Sequence, residues 1–432
     1  MSLFLRLACL LACTPLLPLS AAPTTPAPAD SDRHPFPHNV TYAHGIRPKG
    51  FSQKQMNADL TAMWQAWRKT YLLSAGAAPG ELRVSLGGPK GFAISEGMGY
   101  GMLISVYLAA PGNTGKADFD ALYRYYKRHE KVAKGINYGL MAWRVGPDNK
   151  IADNWVAPDG DIDVAFALLV ADRKWGSAGE INYHAAAVGV INSLMKWCIN
   201  KPSFTVSRGE FESGYTMSSY HIVNYFPAFA AASGDDRWHQ VTTASYAMFD
   251  YFYKLNPAAA LTPFTFMVKD YGFSKRGYSY SYDSSRVPWR VGVDYLWHGT
   301  THSPLARTMP AANARWLQTV TAGKPAEVNV AYELDGTPKG TNRDPRVTVP
   351  PIAVGAMVDP AQQKWLDTLY AWIREQVPGT ETPGARPSYF GDAVMLSCML
   401  VLTGNMPALD SLPATPAADT REAAARPRFG PR

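Results

Sequence analysis

Along most of this chain hydrophobic residues recur at helical spacing, and strand-like alternation is scarce. In the stretch 52–72, Met56, Leu60, Met63, Trp64, Trp67 and Tyr71 fall on one face of a helix. The same periodicity predicts further helices over 96–110, 116–131, 162–173, 181–200, 219–232 and 237–254. The series continues over 286–297, 304–321, 351–357, 361–377 and 389–403, for a total of twelve. Twelve antiparallel helices with alternating short and long connections predict six helical hairpins closed into a toroid, an all-α (α/α)6 barrel. In such a ring the even-numbered helices share one layer and point one way, so their N-terminal ends meet at one mouth. The long connections 132–161, 201–217 and 255–285 lie on that side and are rich in Gly, Tyr and Trp, as cleft-building loops tend to be.

The chain ends differ from this pattern. Residues 1–22 carry Arg6, an apolar run from Leu7 to Leu19 and the small residues Ser20-Ala21-Ala22, which reads as a secretory signal cleaved near Ala21 or Ala22. Acylation at Cys13 after Leu10-Leu11-Ala12 is the alternative. Residues 23–34 form a Pro/Ala/Thr-rich leader and 407–432 a disordered polar tail, leaving one domain over 35–406. Cys9 and Cys13 leave with the signal, and Cys198 and Cys398 lie in apolar helical runs, as buried thiols do. The formal charge of +7 becomes +6 once Arg6 is removed, with Arg421, Arg426, Arg428 and Arg432 concentrated in the tail. No arginine-rich helix or zinc-finger spacing supports nucleic-acid binding, and no internal apolar run reaches membrane-span length.

Candidate chemistry sits at three helix starts. Glu96, Asp159 and Asp283 each occupy a Gly-, Ser- or Pro-containing turn before the second, fourth and eighth predicted helices. All three are even, so the ring brings them to one mouth. Each acid could instead simply cap its helix. Glycines 97, 99 and 101 in Ser95-Glu96-Gly97-Met98-Gly99-Tyr100-Gly101-Met102 cost about 1 kcal/mol apiece against Ala, which implies close approach of another backbone or a ligand. That stretch lacks the spacing of a dinucleotide loop. Asp159, Asp161 and Asp163 lie within one turn or so of each other, close enough that at least one should titrate abnormally. They are not a calcium loop, because Val164 and Val170 stand where Gly and Glu are needed. Arg286, three residues after Asp283, can lie beside that carboxylate and favour its ionised form, with Tyr282, Trp289 and Tyr295 expected around the pair. HExxH, GxSxG and zinc-spaced cysteines are missing from the sequence. An acid, a base and an aromatic cleft match glycoside hydrolysis.

At these motifs the sequence resembles glycoside hydrolase family 8, the secreted bacterial endoglucanase, xylanase and chitosanase family. SEGMGYGM is similar to the family's acid motif, with Met98 where Gln is common. APDGDIDVAFALLVADRKW resembles the family signature, with Pro158 where Ser or Thr is usual. YDSSRVPWR resembles the motif that carries an Asp base. The resemblance implies an (α/α)6 barrel and an inverting reaction, with Glu96 as general acid and Asp283 as general base. It implies that Asp159 binds and distorts the central sugar, that Trp143 stacks on a sugar, and that Tyr282, Arg286 and Tyr389 contact ligand. The expectation is a secreted, monomeric endo-β-1,4-glucanase acting on cellulose or a related β-glucan, without cofactor or metal. Xylan and chitosan are the rival substrates, and a non-catalytic polysaccharide-binding barrel is the rival of another class.

Overall fold

The computed structural model describes residues 32–210, 214–268, 278–382 and 387–413. Among them are twelve α-helices: α1 (Gln53–Tyr71), α2 (Ser95–Leu108), α3 (Gly115–Arg128), α4 (Pro158–Trp175), α5 (Tyr183–Trp197) and α6 (Phe226–Ser233). They continue as α7 (Arg237–Leu255), α8 (Val287–His298), α9 (Leu305–Val320), α10 (Pro345–Ala356), α11 (Gln363–Arg374) and α12 (Tyr389–Leu402).

Sequence composition sorts these helices into two layers. In α2 every residue but Glu96 is buried, and α10 is buried throughout, the mark of helices that are apolar all round and enclosed on every side. They belong to the inner ring, in which α2 packs on α4, α8 on α10, α10 on α12, and α12 back on α2. The odd helices are amphipathic and lie outside, α3 on α2, α5 on α4, α7 on α6, α9 on α8, α11 on α10 and α1 on α12. The face of α1 that is buried is the predicted one, Met56, Leu60, Met63, Trp64, Trp67 and Tyr71. This is the (α/α)6 toroid.

Two inner helices differ from expectation. α6 begins at Phe226 rather than residue 219, because Ser218–Tyr220 forms a separate 3-10 turn and Pro227 in the first turn favours a start there. α10 begins at Pro345, and Pro350 and Pro351 lie inside it. Prolines in a helix interior forfeit two N–H donors, and tight packing of α10 against α8, α9, α11 and α12 offsets that loss.

Eleven short strands among the described residues, which alternation did not reveal, decorate the barrel. Ala93–Ile94 pairs with Arg144–Val145, which pairs in turn with Ile151–Asp153, all antiparallel. This small sheet ties the 132–161 connection to the start of α2. Cys198 and Cys398 are buried free thiols. No helix among the described residues is long and apolar enough to cross a membrane. Packing runs past both ends of 35–406: Asp32 pairs with Lys174 at 3.2 Å, and after Leu409–Ser411, a 3-10 turn, Leu412 is buried. The expected signal segment, with Cys9 and Cys13, and the tail arginines lie outside the described residues.

Candidate active site

Glu96 and Asp159 stand in the first turns of α2 and α4, and Asp283 in the 3-10 turn Tyr282–Arg286 that leads into α8. None of them caps its element. The N-cap positions are Ile94, Ala157 and Ser281, and only Ser281 closes a cap, reciprocally with Ser284. The carboxylates are therefore free to meet one another.

Glycine makes that meeting possible. A Cβ on Gly99 would lie 2.7 Å from the Gly160 carbonyl oxygen, and one on Gly160 would lie 2.5 Å from the Glu96 nitrogen. Backbones so close demand residues without side chains, and they bring the starts of α2 and α4 into contact. Gly97 leaves room for the Tyr389 hydroxyl, which a Cβ would approach to 2.7 Å. Gly101 faces Val84 and Leu122 instead.

Arg286, 1% exposed in its side chain, joins the three acids. Its Nη1 donates to Glu96 Oε2 at 2.9 Å, to Asp159 Oδ2 at 2.8 Å and to the Tyr100 hydroxyl at 3.0 Å. Its Nη2 donates to Asp283 Oδ1 at 2.9 Å and to Ser219 Oγ at 3.0 Å. One cation thus faces three carboxylates. Burial pushes the Glu96 carboxyl up to about 8, reinforced by the charges of Asp159 and Asp283 and opposed by Arg286. Asp283 is also pushed up, by burial and by Asp159; Arg286 opposes the rise without reversing it, so the expectation that it simply favours the ionised form needs that correction. Asp159 Oδ1 has no hydrogen-bond partner among the described residues.

The acids of the 159–163 run part company. Asp161, held by the Tyr126 hydroxyl at 2.5 Å and the Met141 N–H at 3.0 Å, is pushed by burial up to about 8. Asp163 pairs with Arg290 at 2.6 Å inside the barrel. Only Asp159 reaches the cleft.

The cleft floor is a cavity of about 320 Å³ lined by Glu96, Asp159 and Asp283 with Trp143, Tyr220, Tyr389 and Phe390 among its walls. The Trp143 carbonyl accepts from Ser95 N at 2.9 Å and its N–H donates to the Trp155 carbonyl at 2.7 Å, so the small sheet fixes this half-buried indole at the wall. The Tyr389 hydroxyl donates to Glu96 Oε1 at 3.3 Å. Tyr282 is 38% exposed beside Asp283, with a left-handed φ of 28° and its hydroxyl accepting from Asn342 Nδ2 at 3.0 Å; it is not part of the cavity wall. Trp289 and Tyr295 do not surround Asp283: Trp289 is fully buried against Arg290, and Tyr295 packs on His44. Twelve residues from Asp283 to Tyr295 advance a helix by roughly 18 Å, which takes Tyr295 to the far end. Sequence reasoning missed Tyr100, Ser219 and Tyr220. Tyr100, one turn after Glu96, was findable from i,i+4 spacing; the other two lie where a helix was expected. Among the described residues no group of three His, Cys, Asp or Glu side chains is arranged to hold a metal ion.

A helical toroid with clustered carboxylates under an aromatic cleft, one of them held protonated by burial, defines a glycoside hydrolase. Residues 35–341 match the model of glycosyl hydrolases family 8, and the chain belongs to that family. A beta-glucanase of Niallia circulans is 32% identical over 86% of this chain and 90% of its own length. Endoglucanase A of Acetivibrio thermocellus is 30% identical over 86% of this chain and 74% of its own. Among solved structures, the apo beta-1,3-1,4-glucanase of Paenibacillus sp. X4 superposes with a TM-score of 0.79 at 29% identity, covering 88% of this chain and 100% of that one.

Proposed function

We propose that the chain is an exported endo-β-1,4-glucanase that hydrolyses internal bonds of cellulose or a related β-glucan with inversion. The observation that carries this reading is the single guanidinium to which Glu96 and Asp283 both bond, which puts two carboxyl groups of different character at one linkage. Glu96, protonated near neutral pH, donates its proton to the leaving glycosidic oxygen. Asp283, the more exposed of the two, takes a proton from water as that water attacks the anomeric carbon. Asp159, which lines the cavity and whose Oδ1 has no partner among the described residues, accepts from hydroxyls of the central sugar, and Trp143 in the same wall stacks on it. The β-glucanase and endoglucanase names of relatives at 30–32% identity support a glucan substrate. Xylan is the competing substrate, favoured by a reducing end xylose-releasing exo-oligoxylanase of Bifidobacterium adolescentis, 28% identical over 48% of this chain.

A reducing-sugar assay on carboxymethylcellulose, mixed-linkage glucan, xylan and chitosan, run on exported and cytoplasmic fractions, tests the reading. New reducing ends are expected from the glucans, in the exported fraction, and losses of at least about a hundredfold in Glu96→Gln and Asp283→Asn. Preferred release from xylan or chitosan overturns the substrate, and substantial activity in either variant overturns its assigned role.

A further inference from the structure

The barrel holds a second cavity, about 450 Å³, at the end of the inner ring away from the three carboxylates. Its origin is the short sixth helix. With eight residues α6 spans only about 12 Å, packs chiefly on α5 and α7, and leaves a gap between α4 and α8. Asp172 and Arg173 at the rim belong to the last turns of α4, roughly 20 Å along that helix from Asp159.

Three features of this cavity go together. Its wall includes Trp297, set in a ring stack with Phe166 at 5.7 Å between centroids and anchored by its indole N–H to the Met406 carbonyl at 3.2 Å. Its lining includes Asn224, 3% exposed, whose amide nitrogen and oxygen both lack partners among the described residues. A buried primary amide with nothing to bond is costly, and a ligand hydroxyl, which both donates and accepts, would satisfy it. The rim carries Asp172 and Asp410 beside Arg173 and His184, so charges of both signs face the opening and neither a cation nor an anion is selected. An aromatic face, an amide that reads neighbouring hydroxyls and a mixed-sign rim fit a neutral pyranose, and the volume lies in the range of small-molecule sites.

From this geometry we infer that the cavity is a second saccharide site, which holds a unit of a neutral glycan chain away from the cleft. The identity of that glycan rests on the proposed function; the site itself does not. Bound there, a polymer is held at the enzyme while another stretch enters the cleft, an effective-concentration gain that a short oligosaccharide cannot show.

The test is calorimetric titration of the full chain carrying Glu96→Gln with cellotetraose and, separately, xylotetraose, alone and with Ala231→Trp or Asn224→Leu added. Ala231 is an exposed lining residue, so the tryptophan fills the cavity from its open side, and leucine in place of an unbonded amide should fold at least as well. Two binding events are expected, the weaker one lost by about tenfold or more in both cavity variants. In an otherwise unaltered enzyme, Ala231→Trp should keep hydrolysis of a short soluble substrate within about twofold yet slow hydrolysis of polymer. A single event that both cavity variants leave unchanged overturns the site, and is the result if Asn224 is satisfied only by a buried water. Loss of the cleft event with the cavity event retained leaves the site standing and overturns the proposed function. No binding of either sugar removes both.

Discussion

Arg286 is the residue through which the acids are coupled, and its removal has a sign that can be worked out. In the proposed roles Glu96 must be protonated to act as acid, so activity is expected below its value of about 8 and should be lost above it. Asp283 must be ionised, so activity is lost on the acid side at a pH above the ordinary carboxylate range, because its pKa is raised. Arg286 lowers both, so Arg286→Gln should move both limbs of the kcat/KM profile to higher pH and reduce the maximum by about 10²–10³. Arg286→Lys, which keeps the charge and loses the fork, should hold the limbs near their original places. Limbs that stay put in the glutamine variant would show that the guanidinium does not set these protonation states. Three carboxylates left without their buried cation should also lower stability, by about 3–5 kcal/mol in urea unfolding of Arg286→Gln. At this scale the three acids and Arg286 were legible because each stands in a local motif. What could not be read was the bridging itself, since Glu96 and Arg286 are 190 positions apart and no local spacing reports such a contact.

Helix-to-helix approach is decided by glycines. Gly160→Ala would put a Cβ 2.3 Å from the Ser95 carbonyl carbon, where backbone on both sides leaves nothing free to yield. Pushing α4 off α2 should cost about 1–3 kcal/mol and displace Asp159 from Glu96, with kcat falling as well as the unfolding midpoint. Gly189→Ala, on the open face of α5 with nothing within 4 Å, should instead stabilise by about 0.5–1 kcal/mol. Equal effects at the two positions in thermal unfolding and rate assays would remove the close-contact argument. The glycine run of α2 was readable as a place of close approach, and the helices themselves were readable from periodicity. The strands beside the cleft were not, because two-residue strands have no room for alternation, as with Ala93–Ile94. The interior prolines of α10 misled the reading for a related reason: packing on four neighbours outweighs a local rule.

At the scale of the whole molecule, function follows from parity. Three acids on α2, α4 and the turn before α8 meet because even helices share the inner ring and one direction. Counting helices in the sequence was enough to predict that convergence; no count could predict the gap beside the short α6, which depends on where Ser218–Tyr220 leaves the helical path. The reaction proposed for this placement is a single displacement, with water entering opposite the leaving group. Proton NMR of the first products from a β-1,4-glucan tests it most directly, read before mutarotation equilibrates them. The account predicts the α-anomer as the initial product. Initial β-anomer would mean that a carboxylate attacks the sugar itself, and would contradict the assignment of Glu96 as acid and Asp283 as base.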